Sequence, residues 1–547
     1  MCGVKSCGVS STVGRQYTQS LLATQVCGRA RAAARWLSDK GKRGRMGKMD
    51  SSDLLQGANS LPRLFLALII VVYVALGLLY AANTPMWQAP DEPAQFNYIR
   101  TIGDTGTLPV LVPGDYDQGY LEKIKAKHFP PSMSIDSIRY ESYQPPLYYL
   151  AATPIYLAAR AGGLDAEVLA LRLFSVLLEA IVLVLGYIIL RELMNDPWVA
   201  LAAVGLMATV PMHIAITASI SSDTAAELVL ALILLISLRR ASRMVSDRRY
   251  VLLGGLLFGA ALLTKSTAYL PGALLLAGGE VARRLNDRNG PDSRTLAPHA
   301  PPGPAGDRGM TDPAQFRGIR DPAGDRGASA GVENRKSVIV YLTNLVPLFL
   351  ISLVISSPML IRNLLTYGLT DPLGLGRHNA VVIGQPTTAQ FIRDYGLLRV
   401  VSDFVTISFK SFWAQFGWMG VPVNDRIYVL LFALTALAVL GLALYVARVL
   451  RNRELLSPTQ SAGMVLLAAM LAAGIVDYVL YNFEFFQAQG RYLFAVIIPI
   501  ALFIIIGWRE LVAELHAKLL FVLFYAGMVA LDLACLFLFI VPQLRVG

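Results

Sequence analysis

Seven residues, Trp87-Gln88-Ala89-Pro90-Asp91-Glu92-Pro93, hold the strongest chemical feature of the chain: two adjacent carboxylates between two prolines, directly after a long apolar run. Regular helix cannot continue through Pro93, which lacks an N–H and clashes with the preceding turn. Neighbouring side chains diverge, so Asp91 and Glu92 can serve separate roles. One can act as general base while the other orients it or holds a substrate group. The plainer alternative is a solvated loop with two ordinary acids, and composition alone favours it.

The elements that must position this pair are membrane helices. Apolar residues make up 55% of the 547 and charged residues 16%, well below the roughly 25% charge of soluble domains. Runs such as Leu64 to Ala82 and Leu519 to Val541 are nearly free of charge, and each is long enough to cross roughly 30 Å of hydrocarbon as a helix. None alternates polar with apolar, which argues against a β-barrel. The pattern predicts an all-α polytopic membrane protein of about eleven spanning helices, near 62–82, 166–190, 197–217, 222–240, 250–265, 266–283, 337–361, 427–449, 461–481, 491–510 and 518–541.

The net charge of +11 does not point to nucleic acid. Lys and Arg cluster in short segments between apolar runs, at Lys40 to Lys48, Arg239 to Arg249, Arg283 to Arg288 and Arg448 to Arg453, as cytoplasmic loops do under the positive-inside rule. With a cytoplasmic N-terminus, the long loops at 83–165 and 362–426 fall outside, and the pair at Asp91 and Glu92 with them. Pro145 to Ala161 breaks this parity if it spans, so it is read as interfacial or re-entrant. Residues 1–60 lack the apolar core of a signal peptide and are read as a leader or a mis-assigned start, with Met46 or Met49 as initiator. Residues 285–336 repeat the hexamer PAGDRG at Pro304 to Gly309 and Pro322 to Gly327. That segment is read as a disordered cytoplasmic insertion between bundles at 61–284 and 337–547. The four cysteines, Cys2, Cys7, Cys27 and Cys535, suggest neither a disulfide framework nor a metal site.

An apolar helix, then QAPDEPAQFNYIRTIGDTGTLPV, then ESYQPPLYYLAATPIY resembles the start of a GT-C superfamily glycosyltransferase. Similar pieces occur in protein-O-mannosyltransferases, in aminoarabinose transferases and in an uncharacterised family with the same DE-then-QPPLYY order. Further matches follow at Ser221-Ser222-Asp223, Leu263-Thr264-Lys265, Arg362-Asn363 and Gln489-Gly490-Arg491-Tyr492, so the resemblance runs from about residue 62 to about 510. It implies a GT-C-like bundle with interfacial helices in the first outer loop. The activity it implies is inverting transfer from a polyprenyl-phosphate sugar to an acceptor hydroxyl on a lipid, glycan or protein, at the outer face of a bacterial cytoplasmic membrane. By that analogy Asp91 is the base, with Glu92 beside it. The leaving group is a lipid phosphate, so cations must stand ready for its charge, and Lys265, Arg362 and Arg491 are the candidates. For each, the alternative is a snorkelling anchor. Gly490 before Arg491 is expected to allow close approach to a ligand.

Asp223 either caps its helix or meets a sugar hydroxyl. Gln144, Tyr148, Trp418 and Gln489, with Tyr143, Trp413 and Gln415, are candidates for sugar or acceptor contacts, although Trp and Tyr also form interfacial belts. Gln144 stands where aminoarabinose transferases carry a Lys, which removes one phosphate cation and leaves the sugar open. His378 has no partner at metal-ligand spacing; superfamily members differ in metal use, so a divalent metal stays open and no other cofactor is expected. Glu179, Glu227, Asp477 and Asp532 lie deep in expected helices, where charges serve packing, pairing or a substrate path. The competing readings are a transporter or flippase, which should show internal repeats and paired broken helices, and an inactive GT-C-like scaffold.

Overall fold

A computed structural model describes residues 51–288 and 326–545. The chain divides into two compact units, Met1–Leu61 and Pro62–Gly547, and the second holds all the packing described below. Most of the expected leader and of the 285–336 insertion lies outside the described residues. Their described margins, 51–60, 285–288 and 326–336, are helical.

The first half comprises α1 (Ser51–Asn83), α2 (Glu92–Thr105), α3 (Gln118–Ala126), α4 (Leu147–Ala159), α5 (Leu164–Met194), α6 (Pro197–Met207), α7 (Pro211–Thr217), α8 (Asp223–Ala241), α9 (Asp247–Leu262) and α10 (Tyr269–Arg288). The second half comprises α11 (Arg326–Tyr367), α12 (Leu375–Val381), α13 (Thr388–Tyr395), α14 (Leu397–Trp413), α15 (Asp425–Arg451), α16 (Pro458–Tyr481), α17 (Ile497–Leu511), α18 (Glu514–Ala534) and α19 (Val541–Leu544). Among the described residues the only sheet is a two-residue antiparallel pair, β1 (Gln415–Phe416) and β2 (Val421–Pro422), with Gln415 opposite Pro422. The protein is an all-α polytopic membrane protein.

Among the described residues, seven helical stretches are long and apolar enough to cross a membrane, and an eighth forms if α6 and α7, bent by 68°, count as one span. Pro211 causes that break: it has no N–H to continue α6, yet fits the first turn of α7. The expected eleven also counted α8, α9 and α10. Charge or length sets these three apart. α8 carries Asp223, Glu227, Arg239 and Arg240, α9 has 16 residues, and α10 ends in a run containing Glu280, Arg283 and Arg284. The segment after Pro146, α4, has 13 residues, about 20 Å of helix and too short to span.

Packing in hydrocarbon cannot rely on excluding water, so close backbone approach and buried hydrogen bonds do more of the work. Gly441 on α15 and Gly507 on α17 illustrate this. A Cβ added to Gly441 would stand 1.9 Å from the Gly507 carbonyl oxygen, and one on Gly507 would stand 1.9 Å from that of Ala438. The Trp508 indole N–H, donating to the Leu434 carbonyl at 2.8 Å, pins the same crossing. Gly441→Ala therefore forces the two helices apart, at a cost of about 1–3 kcal/mol. Thermal unfolding in detergent should show a lower midpoint than wild type, and an unchanged midpoint would refute the close crossing.

Candidate active site

The loop after α1 separates its two carboxylates completely. Glu92 opens α2 and is fully buried. Its Oε1 and Oε2 accept from Nε and Nη2 of Arg172 on α5 at 2.7 and 2.8 Å. Oε2 also accepts from the Trp87 N–H at 2.9 Å, and Oε1 from the Ile220 N–H at 3.3 Å. Arg172 spends its remaining donors on the carbonyls of Ala81, Thr84 and Pro85 at 2.8, 2.7 and 3.3 Å. The pair thus clamps the end of α1 to the start of α2. Glu92 is buried and spends both oxygens on protein donors.

Two residues of this loop sit at left-handed φ, Trp87 at 68° and Asp91 at 67°. Asp tolerates that region, but for a bulky Trp it is strained. The Glu92 bond to the Trp87 N–H, the packing of its indole on Phe96 at 5.1 Å and the Trp418 N–H donated to its carbonyl at 2.9 Å hold the turn. The left-handed turn points Asp91 away from Glu92 and into a cavity of about 520 Å³, inside the size range of small-ligand sites.

At the cavity wall Asp91 accepts a hydrogen bond from the Tyr140 hydroxyl at 2.7 Å and another from Nη2 of Arg491. Burial pushes the Asp91 carboxyl up, but Arg491 and Tyr140 outweigh it and hold it below its ordinary value. Glu141, in the 3₁₀ turn Tyr140–Tyr143, lines the same wall. Burial and the charge of Asp91 push its carboxyl up to about 7. Nothing in the sequence reading singled out Glu141, although it is the first residue of the ESYQPPLYY motif. Two carboxylates whose pKa values are driven apart are the usual makings of an acid–base pair.

The three candidate cations take three different places. Lys265, at the end of α9, lines the cavity and donates to Asp223 Oδ1 at 2.6 Å. Arg491 lies behind Asp91, with its Nε on Gln489 Oε1 at 2.8 Å. Arg362 is not part of the wall: it donates to the Pro109 carbonyl and to Asn363 Oδ1 at 3.1 Å, over the Tyr367 ring. Gly490 does permit a close approach, but to protein. A Cβ there would lie 2.3 Å from the Ser408 carbonyl oxygen on α14.

Gln144, Trp418, Gln489, Tyr143 and His378 line the cavity. Gln144 donates to the Tyr143 hydroxyl at 3.1 Å, Trp418 stacks on Phe129, and the His378 ring lies 4.7 Å from that of Tyr143. Tyr148 does not reach the wall. It is buried, with its hydroxyl bridging Ser175 Oγ and the Ser221 N–H at 3.0 and 3.1 Å. Asp223 opens α8 without capping the backbone from its own side chain; it accepts from Ser221 Oγ at 3.2 Å and is held by Lys265. Tyr140, Tyr478, Tyr481, Tyr492, Phe485 and Phe486 make much of the remaining surface aromatic.

A profile of predicted membrane proteins designated DUF2142 matches residues 126–501. The chain belongs to that family. The DUF2142 match takes in Glu141, Gln144, Lys265 and Arg491, and begins after Asp91. The chain is also similar to ArnT from Cupriavidus metallidurans, whose crystal structure was solved bound to undecaprenyl phosphate. That likeness is at 14% identity and a TM-score of 0.39, over 89% of this chain and 74% of that one. No curated protein matches the sequence.

Both oxygens of Asp91 already face donors, one of them cationic. This wall does not fit a metal ion beside Asp91.

Two outcomes follow from these pairings. Arg172→Met leaves the Glu92 charge buried without its partner, which costs about 3–5 kcal/mol; unfolding in detergent at the wild-type midpoint would show that the clamp contributes nothing. Glu141 has a folded pKa of about 7 against an ordinary 4.5. The native state therefore keeps a proton that the unfolded chain has released, and stability falls as pH rises between those values. Melting curves recorded across that interval should show the decline in wild type and a flatter profile in Glu141→Gln.

Proposed function

We propose that the protein is a membrane glycosyltransferase that moves a sugar from a polyprenyl-phosphate donor to an acceptor hydroxyl, with inversion and with Asp91 as base. The observation that carries this reading is one cavity walled by the carboxylates of Asp91 and Glu141, the ammonium of Lys265 and a shell of aromatic rings. Aromatic faces suit both sugar rings and isoprenoid chains. A buried ammonium suits a phosphate.

In the proposed reaction the acceptor hydroxyl attacks the anomeric carbon from the side opposite the phosphate. The new C–O bond forms as the sugar–phosphate bond breaks, and the departing phosphate oxygen takes the electron pair. Lys265 turns from Asp223 to that oxygen, placing positive charge where negative charge develops. The hydroxyl proton passes to Asp91. Glu141, which titrates near neutrality, is suited to accept it next and return it to solvent. Arg491 keeps Asp91 ionised before the acceptor arrives, and Gln144, Gln489 and Trp418 supply amide and ring contacts to the sugar.

Orientation follows from charge. Arg240 lies seventeen residues beyond Asp223 on α8, about 25 Å along the helix axis. There it is buried against Glu280 and Asp247 at 2.7 and 2.6 Å, among the basic segments assigned to the cytoplasmic side. The cavity end of the same helix then faces the other compartment.

Asp91→Asn should lower transfer from a polyprenyl-phosphate sugar by about 100-fold or more in membranes holding wild-type amounts of protein. Full activity in that variant removes Asp91 as base. A wild type that consumes no donor of this class removes the transferase reading itself.

A further inference from the structure

Three residues with no part in the cavity meet deeper in the bundle. Glu179 on α5, His213 on α7 and Glu227 on α8 are 0%, 0% and 2% exposed. One ligating atom from each lies within 4.8 Å of the other two. His213 Nε2 stands 3.1 Å from Glu227 Oε2 and 3.8 Å from Glu179 Oε1.

The tautomer of His213 decides what this arrangement needs. Its Nδ1 is 2.9 Å from the Met207 carbonyl oxygen, which can only accept, so Nδ1 carries a hydrogen. In the neutral ring the Nε2 lone pair then points at two carboxylates, an arrangement that repels unless a cation sits between them. Both oxygens of Glu179 and Oε1 of Glu227 meet no donor among the described residues. Either an imidazolium or one protonated carboxyl alone leaves a second carboxylate unpaired in an apolar interior, which is costly. The proton-only alternative needs both at once, His213 donating to Glu227 and a protonated Glu179 sharing its hydrogen with Glu227. A divalent ion satisfies all three at once. Zinc binds His nitrogen at about 2.0–2.1 Å and carboxylate oxygen at about 2.0–2.2 Å, so its neighbouring ligands stand roughly 3–3.5 Å apart. The observed 3.1 and 3.8 Å need only a small adjustment. A carbonyl that fixes the second ring nitrogen is the usual partner of a metal-bound histidine, and the edge of Phe494 packs on the same ring at 4.9 Å.

We propose that Glu179, His213 and Glu227 form a structural site for one divalent transition-metal ion, with zinc the best match to this nitrogen-and-oxygen donor set. The site ties α5, α7 and α8 together below the cavity. Glu179 lies two turns from Arg172 on α5, and Glu227 one turn from Asp223 on α8. Metal bound here would hold the two helices that present the Glu92 clamp and the Lys265 partner. It needs no sugar chemistry, so its test is separate from that of the transferase reading.

The full chain, purified in detergent without chelator, should carry about one zinc by elemental analysis. Chelation should lower its thermal midpoint, and added zinc should restore it. His213→Gln and Glu179→Gln should lose the metal and the response to zinc while wild type keeps both. If either variant fails to fold, the metal content and zinc response of wild type decide alone. Wild-type protein that takes up no more zinc than buffer controls, with a midpoint indifferent to zinc and chelator, overturns the proposal. So does an infrared band of a protonated carboxyl in zinc-treated wild type that disappears in Glu179→Gln, since it shows a shared proton in the metal's place.

Discussion

The bidentate pair between Glu92 and Arg172 is the constraint on which the rest of the site depends. Both side chains are buried, at 0% and 3% exposure, and between them they make six of the hydrogen bonds that close the turn from α1 to α2. A charge pair this deep is weak evidence for net stability, since desolvation offsets much of the attraction. Its value here is directional. With Glu92 locked inward, the left-handed backbone at Asp91 leaves that carboxylate one way to face. The strained φ at Trp87 is held by the same residue, because Glu92 Oε2 takes its N–H. Adjacent acids thus acquire opposite roles from one clamp.

The cations divide by a similar logic. A buried ammonium or guanidinium needs an anion, and what it finds decides what it can still do. Arg491 finds Asp91, so its charge is spent on keeping that carboxylate ionised. Lys265 finds Asp223, which itself rests on Ser221, and remains at the cavity surface with one carboxylate to release. Arg362 finds carbonyl and amide oxygens and the face of Tyr367, with no anion among them. It joins the segment after α2 to the end of α11.

Hydropathy makes the helical bundle legible, and charge makes the loops legible. The expected spans at α8, α9 and α10 are not among the seven or eight long apolar stretches of the described residues, because short or charge-flanked helices have the same apolar density as full spans. Within the site, residue types were readable but directions were not. Asp91 and Glu92 differ by one position, and only the tertiary partner Arg172, 80 residues on, separates them. Tyr148 belongs by its motif with the expected sugar contacts, while its hydroxyl is bonded to Ser175 Oγ on α5 and to the Ser221 N–H. Glu141 was hidden for the opposite reason. It looks like a common acid at the start of a motif, and its raised pKa arises from burial and from Asp91, neither of which is visible in sequence. Glu179 and Glu227 stood out as deep charges, but His213 between them did not, since a lone histidine in an apolar run carries no spacing signal.

The two halves on either side of the 285–336 segment cannot be regarded as separate working units. Asp91 and Arg491 are 400 residues apart in the chain and share a hydrogen bond. The segments that follow α2 and α11 are joined as well. The Leu111 N–H donates to the Tyr367 hydroxyl at 3.1 Å, and the Leu111 carbonyl accepts from Arg377 Nε at 3.0 Å. Trp418 closes the same seam by donating to the Trp87 carbonyl. Each half therefore supplies what the other lacks: the first brings both acids and Lys265, and the second brings Arg491, Gln489 and most of the aromatic wall. A shift of the halves by one ångström would break the bond that sets the charge of Asp91.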